Sequence, residues 1–185
     1  MKKSLSKVTV LVLITLLAFS GCSLFGGGEN ADLSDEDRYI RPYIGLILQN
    51  SFNLQETPLT ADQAVELYYQ SCSVEATEAV KAKELEKVMA GHLGLDKNAL
   101  EESSYYEKKG KVYNLPSDTD WIVVDHLEIL EETKENGRIT FVFSYSGHLS
   151  SAPDVPLNMT YRWTISGKND GFTILSGERV SVSIS

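Results

Sequence analysis

A ten-residue run, LNMTYRWTIS at positions 157–166, decides the fold class of this chain. Large apolar or aromatic residues occupy every second position, and polar residues occupy the positions between them. Successive side chains of a strand point to opposite faces of a sheet, so this period of two predicts a strand with one buried and one wet face. The pattern places Met159, Tyr161 and Trp163 on the core side.

Further strand signals lie on both sides of this run. The dipeptide Asn136-Gly137, which is typical of a β-hairpin turn, precedes a second alternating stretch at 139–146. The other expected strands cover 112–115, 121–131 and 172–184. We expect Gly177 to form a β-bulge in the last strand and Pro153 and Pro156 to lie in a loop.

Apolar residues between about positions 39 and 100 recur instead at helical spacing. Thr60-Ala61-Asp62-Gln63 matches a capping box, in which two side chains satisfy free backbone amides at the start of a helix. Helices are expected from near Pro42, from this box to Cys72, from Glu75 to His92, and briefly after Asp96. Helices followed by an antiparallel meander predict one α+β domain over 39–185. Its N-terminal helices would pack on one face of a curved antiparallel sheet of about four to five strands.

The first 21 residues have the parts of an export signal. Three lysines precede an apolar run from Val8 to Phe19, which is shorter than the roughly 20 residues that a spanning helix needs. The run ends in Leu17-Ala18-Phe19-Ser20-Gly21-Cys22, which resembles the lipobox of bacterial lipoproteins. The resemblance implies cleavage before Cys22 and acyl chains on its thiol. The alternative is an ordinary secretory signal in which Cys22 is incidental.

The expected address follows from the lipobox and from the residues after it. Residues 22–38 are rich in glycine and acids, so we expect them to form a flexible tether. Acyl chains on Cys22 would then hold the domain at the extracytoplasmic face of the cell membrane. The membrane is thus the first expected partner.

The chain is acidic, with a formal net charge of −9, and the leader contributes lysines but no acid. A negative surface repels phosphate backbones, so nucleic acid is excluded as a partner. A cationic protein or metal cations would be attracted instead, and a cell-wall or envelope protein is a candidate protein partner. The simpler interpretation is that the charge keeps an exported protein soluble.

The order of helices and strands resembles the nuclear-transport-factor-2-like cone, and a cystatin-like layout is a near neighbour. The resemblance implies a concave sheet around a pocket, with His126, Tyr145, Tyr161 and Trp163 as candidate ligand-facing residues. Steroid isomerases and dehydratases of that superfamily place Asp or His there, with tyrosines as proton donors, so Asp125 is an alternative to His126. The same aromatic residues could equally fill a core.

A second resemblance is local. Residues 105–118, YYEKKGKVYNLPSD, look like a segment of secreted Firmicutes proteins of the IseA type, which inhibit cell-wall DL-endopeptidases by presenting an acidic surface. The loops 116–120 and 147–156 would form the rim of the sheet. Asp118 and Asp120 are the candidate rim residues.

The remaining chemistry-bearing residues favour no catalytic motif. The three histidines lie in different elements without metal-ligand spacing, and the chain has no phosphate-binding glycine loop or nucleophile elbow. We therefore expect no metal or cofactor. The favoured function is a non-enzymatic binding module for an envelope protein or small ligand. The alternatives are an inhibitor or regulator of a cell-wall hydrolase and, third, a small enzyme of the cone-shaped superfamily.

Overall fold

The computed structural model describes residues 33–72, 79–115 and 120–184. The export signal, Cys22, most of the tether and the rim residue Asp118 lie outside these ranges. The longer helices are α1 (Ala61–Cys72) and α2 (Ala82–His92), and α3 (Lys97–Leu100) is a single turn. The strands are β1 (Ser51–Asn53), β2 (Val80–Lys81), β3 (Tyr106–Glu107), β4 (Val112–Tyr113), β5 (Ile122–Glu135), β6 (Arg138–Leu149), β7 (Ala152–Ser166) and β8 (Thr173–Ile184).

The predicted α+β class is confirmed. The main sheet is curved, open and antiparallel, with five strands in the order β1-β8-β7-β6-β5, and β2, β4 and β3 form a small second sheet. The predicted alternation holds in the middle of the main sheet, where Phe141 pairs with Trp163 and Phe143 with Tyr161. These side chains are fully buried and form the centre of the core.

The helical segments lie on the inner face of this sheet. A π-helical turn, Glu36–Ile40, runs into a 3₁₀ helix, Arg41–Leu48, that has Pro42 in its first turn, and both bury most of their apolar residues. Tyr39 fixes the start of this segment to the sheet, because its hydroxyl accepts a hydrogen bond from Asn169 N at 3.0 Å. Among the described residues, no helix is long and apolar enough to cross a membrane.

The predicted capping box at the start of α1 is confirmed. Thr60 N donates to Gln63 Oε1 at 2.9 Å, and Gln63 N donates to Thr60 Oγ1 at 3.2 Å. The helix then buries its apolar stripe, including Ala64, Val65 and Tyr68, against the core. The short helix expected after Asp96 is also present, and Asn98 N donates to Asp96 Oδ1 at its start.

The predicted start of the next helix is wrong. Helix α2 begins at Ala82 rather than Glu75, because Val80 and Lys81 pair with Tyr113 and Val112 in the small sheet. Residues 73–78 lie outside the described ranges. At positions 80–81, pairing with a strand distant in sequence has thus overridden the helix that helical spacing alone predicted.

The predicted loop around Pro153 and Pro156 is also wrong, because both prolines lie in β7. The ladder with β6 pairs Ala152 with Leu149 and then resumes only at Leu157. Pairing with β8 also begins at Leu157. The prolines therefore occupy a stretch of strand where no ladder partner needs their missing amide hydrogen.

Gly177 does not form the predicted bulge. It pairs in register with Trp163 on one side and Phe52 on the other, and the irregularities of β8 fall at Leu175 and Val180. A Cβ atom at position 177 would lie 2.6 Å from the Phe52 ring and 2.7 Å from the Tyr161 ring. Glycine is required there because two aromatic rings pack directly on the backbone.

Candidate functional site

The structure brings Tyr145, Tyr161 and Trp163 together on the inner face of the main sheet. All three side chains are at most 2% exposed. The Tyr145 hydroxyl donates to the Val123 carbonyl oxygen at 3.0 Å, and the Tyr161 hydroxyl donates to the Gln49 carbonyl oxygen at 3.1 Å. Both phenols are therefore occupied by the backbone of the protein itself.

Aromatic rings fill the space around these residues. Phe143 lies 6.0 Å from both Tyr161 and Trp163, and Phe52 lies 5.7 Å from Trp163, measured between ring centroids. Burial raises the pKa of Tyr161 to about 12, and burial also raises the pKa of Tyr145, so both hydroxyls stay protonated. These side chains form a packed core at the place where the cone resemblance implies a pocket.

Three open grooves of about 610–650 Å³ lie on the surface, and none of the three is lined by Tyr145, Tyr161 or Trp163. One follows the edge of the sheet beside Phe52 and Pro58. The second lies on the outer face over Thr140 and Thr164, and the third separates Tyr39 from the β5–β6 turn.

His126 does not face the inside of the sheet, contrary to the sequence-based expectation. A bulge places Asp125 between Val124, which pairs with Gly147, and His126, which pairs with Ser146. This extra residue reverses the alternation, so that Leu127 is buried while the His126 side chain is 63% exposed. Strict alternation from Ile122 had predicted the opposite orientation.

Asp125 and His126 also contact different partners. Asp125 Oδ2 lies 3.5 Å from Nδ1 of His148 on β6, and His126 Nε2 lies 3.5 Å from Glu128 Oε2 on the same strand. The Asp125 side chain is 61% exposed. The structure thus does not assemble Asp125, His126 and the buried tyrosine hydroxyls around one reaction site.

The rim residue Asp120 holds two chain segments together. Its carboxylate accepts hydrogen bonds from Ser150 Oγ, Ser151 Oγ and, at 2.9 Å, Ser151 N. Burial alone would raise the pKa of Asp120, but the hydrogen bonds from the two serines outweigh it and lower the pKa. Asp120 therefore joins the start of β5 to the β6–β7 turn.

Strand β5, at one edge of the main sheet, is rich in acidic residues. Within β5 there are five acidic residues and one lysine: Asp125, Glu128, Glu131, Glu132, Glu135 and Lys134. All of them lie in the exposed part of the strand. Because β5 is the last strand of the sheet, one side of its backbone has no paired strand among the described residues.

Sequence reasoning missed a buried carboxylate in the small sheet region. Glu86 is 6% exposed and its Oε2 lies 3.2 Å from Lys97 Nζ, while Oε1 has no hydrogen-bond partner among the described residues. Burial, and secondarily the negative charge of Glu86, raise the pKa of the buried Tyr113 phenol. The available signal was position, since Glu86 interrupts the inward-facing stripe of Ala82 and Met89 at helical spacing.

In comparisons with known proteins, no family model, curated protein or solved structure matches the chain. The described part of the chain contains no group of three or more histidine, cysteine or acidic side chains arranged to hold a metal ion. What the geometry does bring together is a filled aromatic core, a serine-bound aspartate at the rim and an acidic outer strand.

Proposed function

We propose that this chain is a lipoprotein anchored through acyl chains on Cys22 at the extracytoplasmic face of the cell membrane, where its domain binds an envelope protein without catalysis. The anchor is supported by the lipobox-like residues 17–22. The observation that carries the binding function is the filled inner face, where Tyr145, Tyr161 and Trp163 pack as core. Recognition then takes place on the outer surface of the domain, and an internal small-ligand site has less support.

The partner surface is expected to be positively charged. Strand β5 presents five acids and a single lysine along an exposed outer strand, and the whole chain has a formal net charge of −9. Complementary charge speeds association and selects against partners of like charge. A cationic envelope protein is therefore the partner class that the surface fits best.

Inhibition or regulation of a cell-wall hydrolase is the second candidate, and the acidic β5 strand favours it. The IseA-like segment itself forms the β3–β4 hairpin, whose exposed tip carries Lys108, Lys109 and Lys111. An acidic inhibitory surface would thus have to be supplied by β5. The small-enzyme alternative has less support, because Asp125 and His126 lie outside while the Tyr145 hydroxyl is bound inside.

The test of binding uses charge reversal on β5. The tagged full chain is used at low salt to capture proteins from an envelope extract, in parallel with a Glu128→Lys/Glu131→Lys variant. A Glu101→Lys/Glu102→Lys variant is the control, because both residues are exposed and the charge change is identical. We expect one captured protein to be lost with added salt and with the β5 variant, but retained by the control. Equal capture by all three proteins would contradict the proposal.

The hydrolase candidate has its own measurement. Release of soluble wall fragments by an envelope hydrolase preparation is followed with and without the purified protein. Inhibition that disappears in the β5 variant and persists in the Glu101→Lys/Glu102→Lys control would identify the partner as a hydrolase. Capture of a protein without any change in wall release would restrict the function to binding.

The anchor is tested separately by a Cys22→Ser variant and cell fractionation. We expect the parent protein in the membrane fraction and in the detergent phase, because each buried methylene of an acyl chain contributes about 0.8 kcal/mol to membrane attachment. Intact mass of the extracted protein should show the added acyl chains. Equal membrane association of the parent and the variant would contradict lipidation at Cys22.

A further inference from the structure

Among the described residues, the distal half of β8 has no paired strand on its outer side. Strand β1 is only three residues long and pairs with positions 176–178 of β8. The last contact on this side is the hydrogen bond from Arg179 N to the Asn50 carbonyl oxygen at 2.8 Å. Residues 180–184 pair with β7 on one side and with no strand on the other among the described residues. The backbone groups that point away from β7 thus have no strand partner among the described residues, and such an edge is a template for another strand.

This edge lacks the charged residues and prolines that often protect a sheet edge, and the only bulge within residues 180–184 falls at its first residue, Val180. Residues 180–184 read VSVSI, with no charge and no proline. Val180 and Val182 are 50% and 46% exposed, and Val155 at the same end of β7 is 46% exposed. Charged side chains usually block such an edge, because an exposed β-branched edge strand is a template for pairing.

The opposite edge of the same sheet is protected in two ways. Strand β5 carries five acids, and bulges at Asp125 and Leu130 interrupt its regular backbone. Pairing of β5 with β5 of another copy would oppose like charges and is disfavoured. The charge pattern thus excludes one edge and leaves the other open to self-association.

We propose that Val180–Ile184 is an interface at which two copies of this chain pair antiparallel. In a two-fold pairing centred on Val182, Val182 lies opposite its own copy and Ser181 lies opposite Ser183, and the bulge at Val180 ends the regular pairing. Valine therefore faces valine and serine faces serine across the interface, and no charged residue takes part. An isologous contact of this kind closes on itself and yields a dimer rather than a chain of molecules.

The pairing is expected to be weak in solution and to be favoured when both copies are held on one membrane. A five-residue strand contact buries less than the roughly 800 Å² per partner of a standard stable interface. Attachment of both copies to one membrane would raise their effective concentration and increase the paired fraction. The interface itself goes beyond the proposed function and does not require the anchor.

Disulfide trapping in the full-length chain tests this interface. Val182→Cys is introduced into a Cys72→Ala background, since directly opposed residues of antiparallel strands lie about 4.5–5.5 Å apart between Cα atoms, within the range that a disulfide spans. Leu130→Cys is the matched control, because Leu130 is 54% exposed on the protected edge. The Cys72→Ala parent reports any background from Cys22. Fractionation of the same sample reports the anchor independently.

We expect mild oxidation to produce a reducible dimer of twice the chain mass with Val182→Cys and only background with Leu130→Cys. Adding Val180→Lys should remove most of the Val182→Cys dimer, whereas adding Leu130→Lys should leave its yield unchanged. Equal yields at positions 182 and 130, or no dimer at 182, would overturn the proposal. A Val182→Cys adduct with a different protein would assign the edge to another partner and overturn pairing of two copies.

Discussion

The two faces of the main sheet come from the same strands but have opposite chemistry. On the inner face, Phe141 pairs with Trp163 and Phe143 with Tyr161, and all four side chains are fully buried. One residue further along the same strands, Thr140 pairs with Thr164 on the outer face, and their hydroxyl oxygens lie 3.2 Å apart. The inner face therefore supplies stability, which leaves the outer face and the edges for interactions.

Truncation of the largest inner side chain should have the largest effect. Trp163→Ala removes a fully buried indole and is expected to cost about 3–5 kcal/mol in the free energy of unfolding, measured by urea denaturation. Its neighbour Arg162, half exposed on the outer face and paired with Glu178, is the matched control. Arg162→Ala should cost about 0–1 kcal/mol. Similar losses in both variants would contradict the division of roles between the faces.

Gly177→Ala tests the inner face at the point where two aromatic rings pack on the backbone. The added methyl group would contact the Phe52 and Tyr161 rings at under 3 Å, so we expect a loss of about 1–3 kcal/mol in unfolding free energy. Gly91→Ala is the control, because nothing lies within 4 Å of its Cβ position in helix α2. That variant should be neutral or slightly stabilising. An unchanged midpoint of urea unfolding for Gly177→Ala would contradict this expectation and show that the two rings move apart freely.

Asp120→Asn tests the rim, where the two faces end. The pKa of Asp120 is lowered in the folded protein, so its contribution to stability is present above the unfolded-state pKa and is lost as pH falls through the folded-state pKa. The parent should therefore lose stability in acid more steeply than the variant, in thermal melts from pH 7 to pH 3. At pH 7 the variant should lose about 1 kcal/mol or less, because the site is close to solvent. Parallel pH profiles would exclude the serine contacts as a source of stability.

Thr164→Val should have the smallest effect. It breaks the hydroxyl contact with Thr140 on the outer face, and cross-strand pairs of this kind contribute roughly 0.2–1 kcal/mol. We expect a change near the lower end of that range in urea unfolding, because both residues are only half-buried and water can replace the contact. A loss comparable to that of Trp163→Ala would mean that the outer face is also part of the stability core.

Regular alternation made much of this fold predictable from sequence. The buried positions of β6 and β7 and the capping box before α1 follow local patterns, and the structure confirms them. The predicted orientation of His126 was wrong because a bulge at Asp125 shifts the alternation of side chains by one residue. Such a bulge leaves no signature in the amino-acid composition. The predicted start of α2 was wrong because Val80 pairs with Tyr113, a contact between residues that are distant in sequence.

The candidate site was harder to predict than the fold. Alternation correctly placed Tyr145 and Tyr161 on one face, but it could not distinguish a pocket from a filled core, since that depends on how closely Phe52 and the helical segments approach. Glu86 was missed because a single acid in an apolar stripe is a weak signal. The open edge at Val180–Ile184 exists because β1 is short, and the β-propensity of the residues does not predict the length of that strand.

The hydrogen bond between Tyr39 and Asn169 also sets the place at which the tether would enter the domain. It docks the beginning of the folded chain beside the β5–β6 and β7–β8 turns, at one end of the long strands. Strand β6 alone spans twelve residues, or roughly 40 Å of contour at about 3.3 Å per residue. In the proposed lipoprotein, the tether would therefore join the domain at the end that carries these two turns. Asp120 and the C-terminal end of β8 lie at the opposite end of the long strands, so they would be the parts of the domain farthest from the point of attachment.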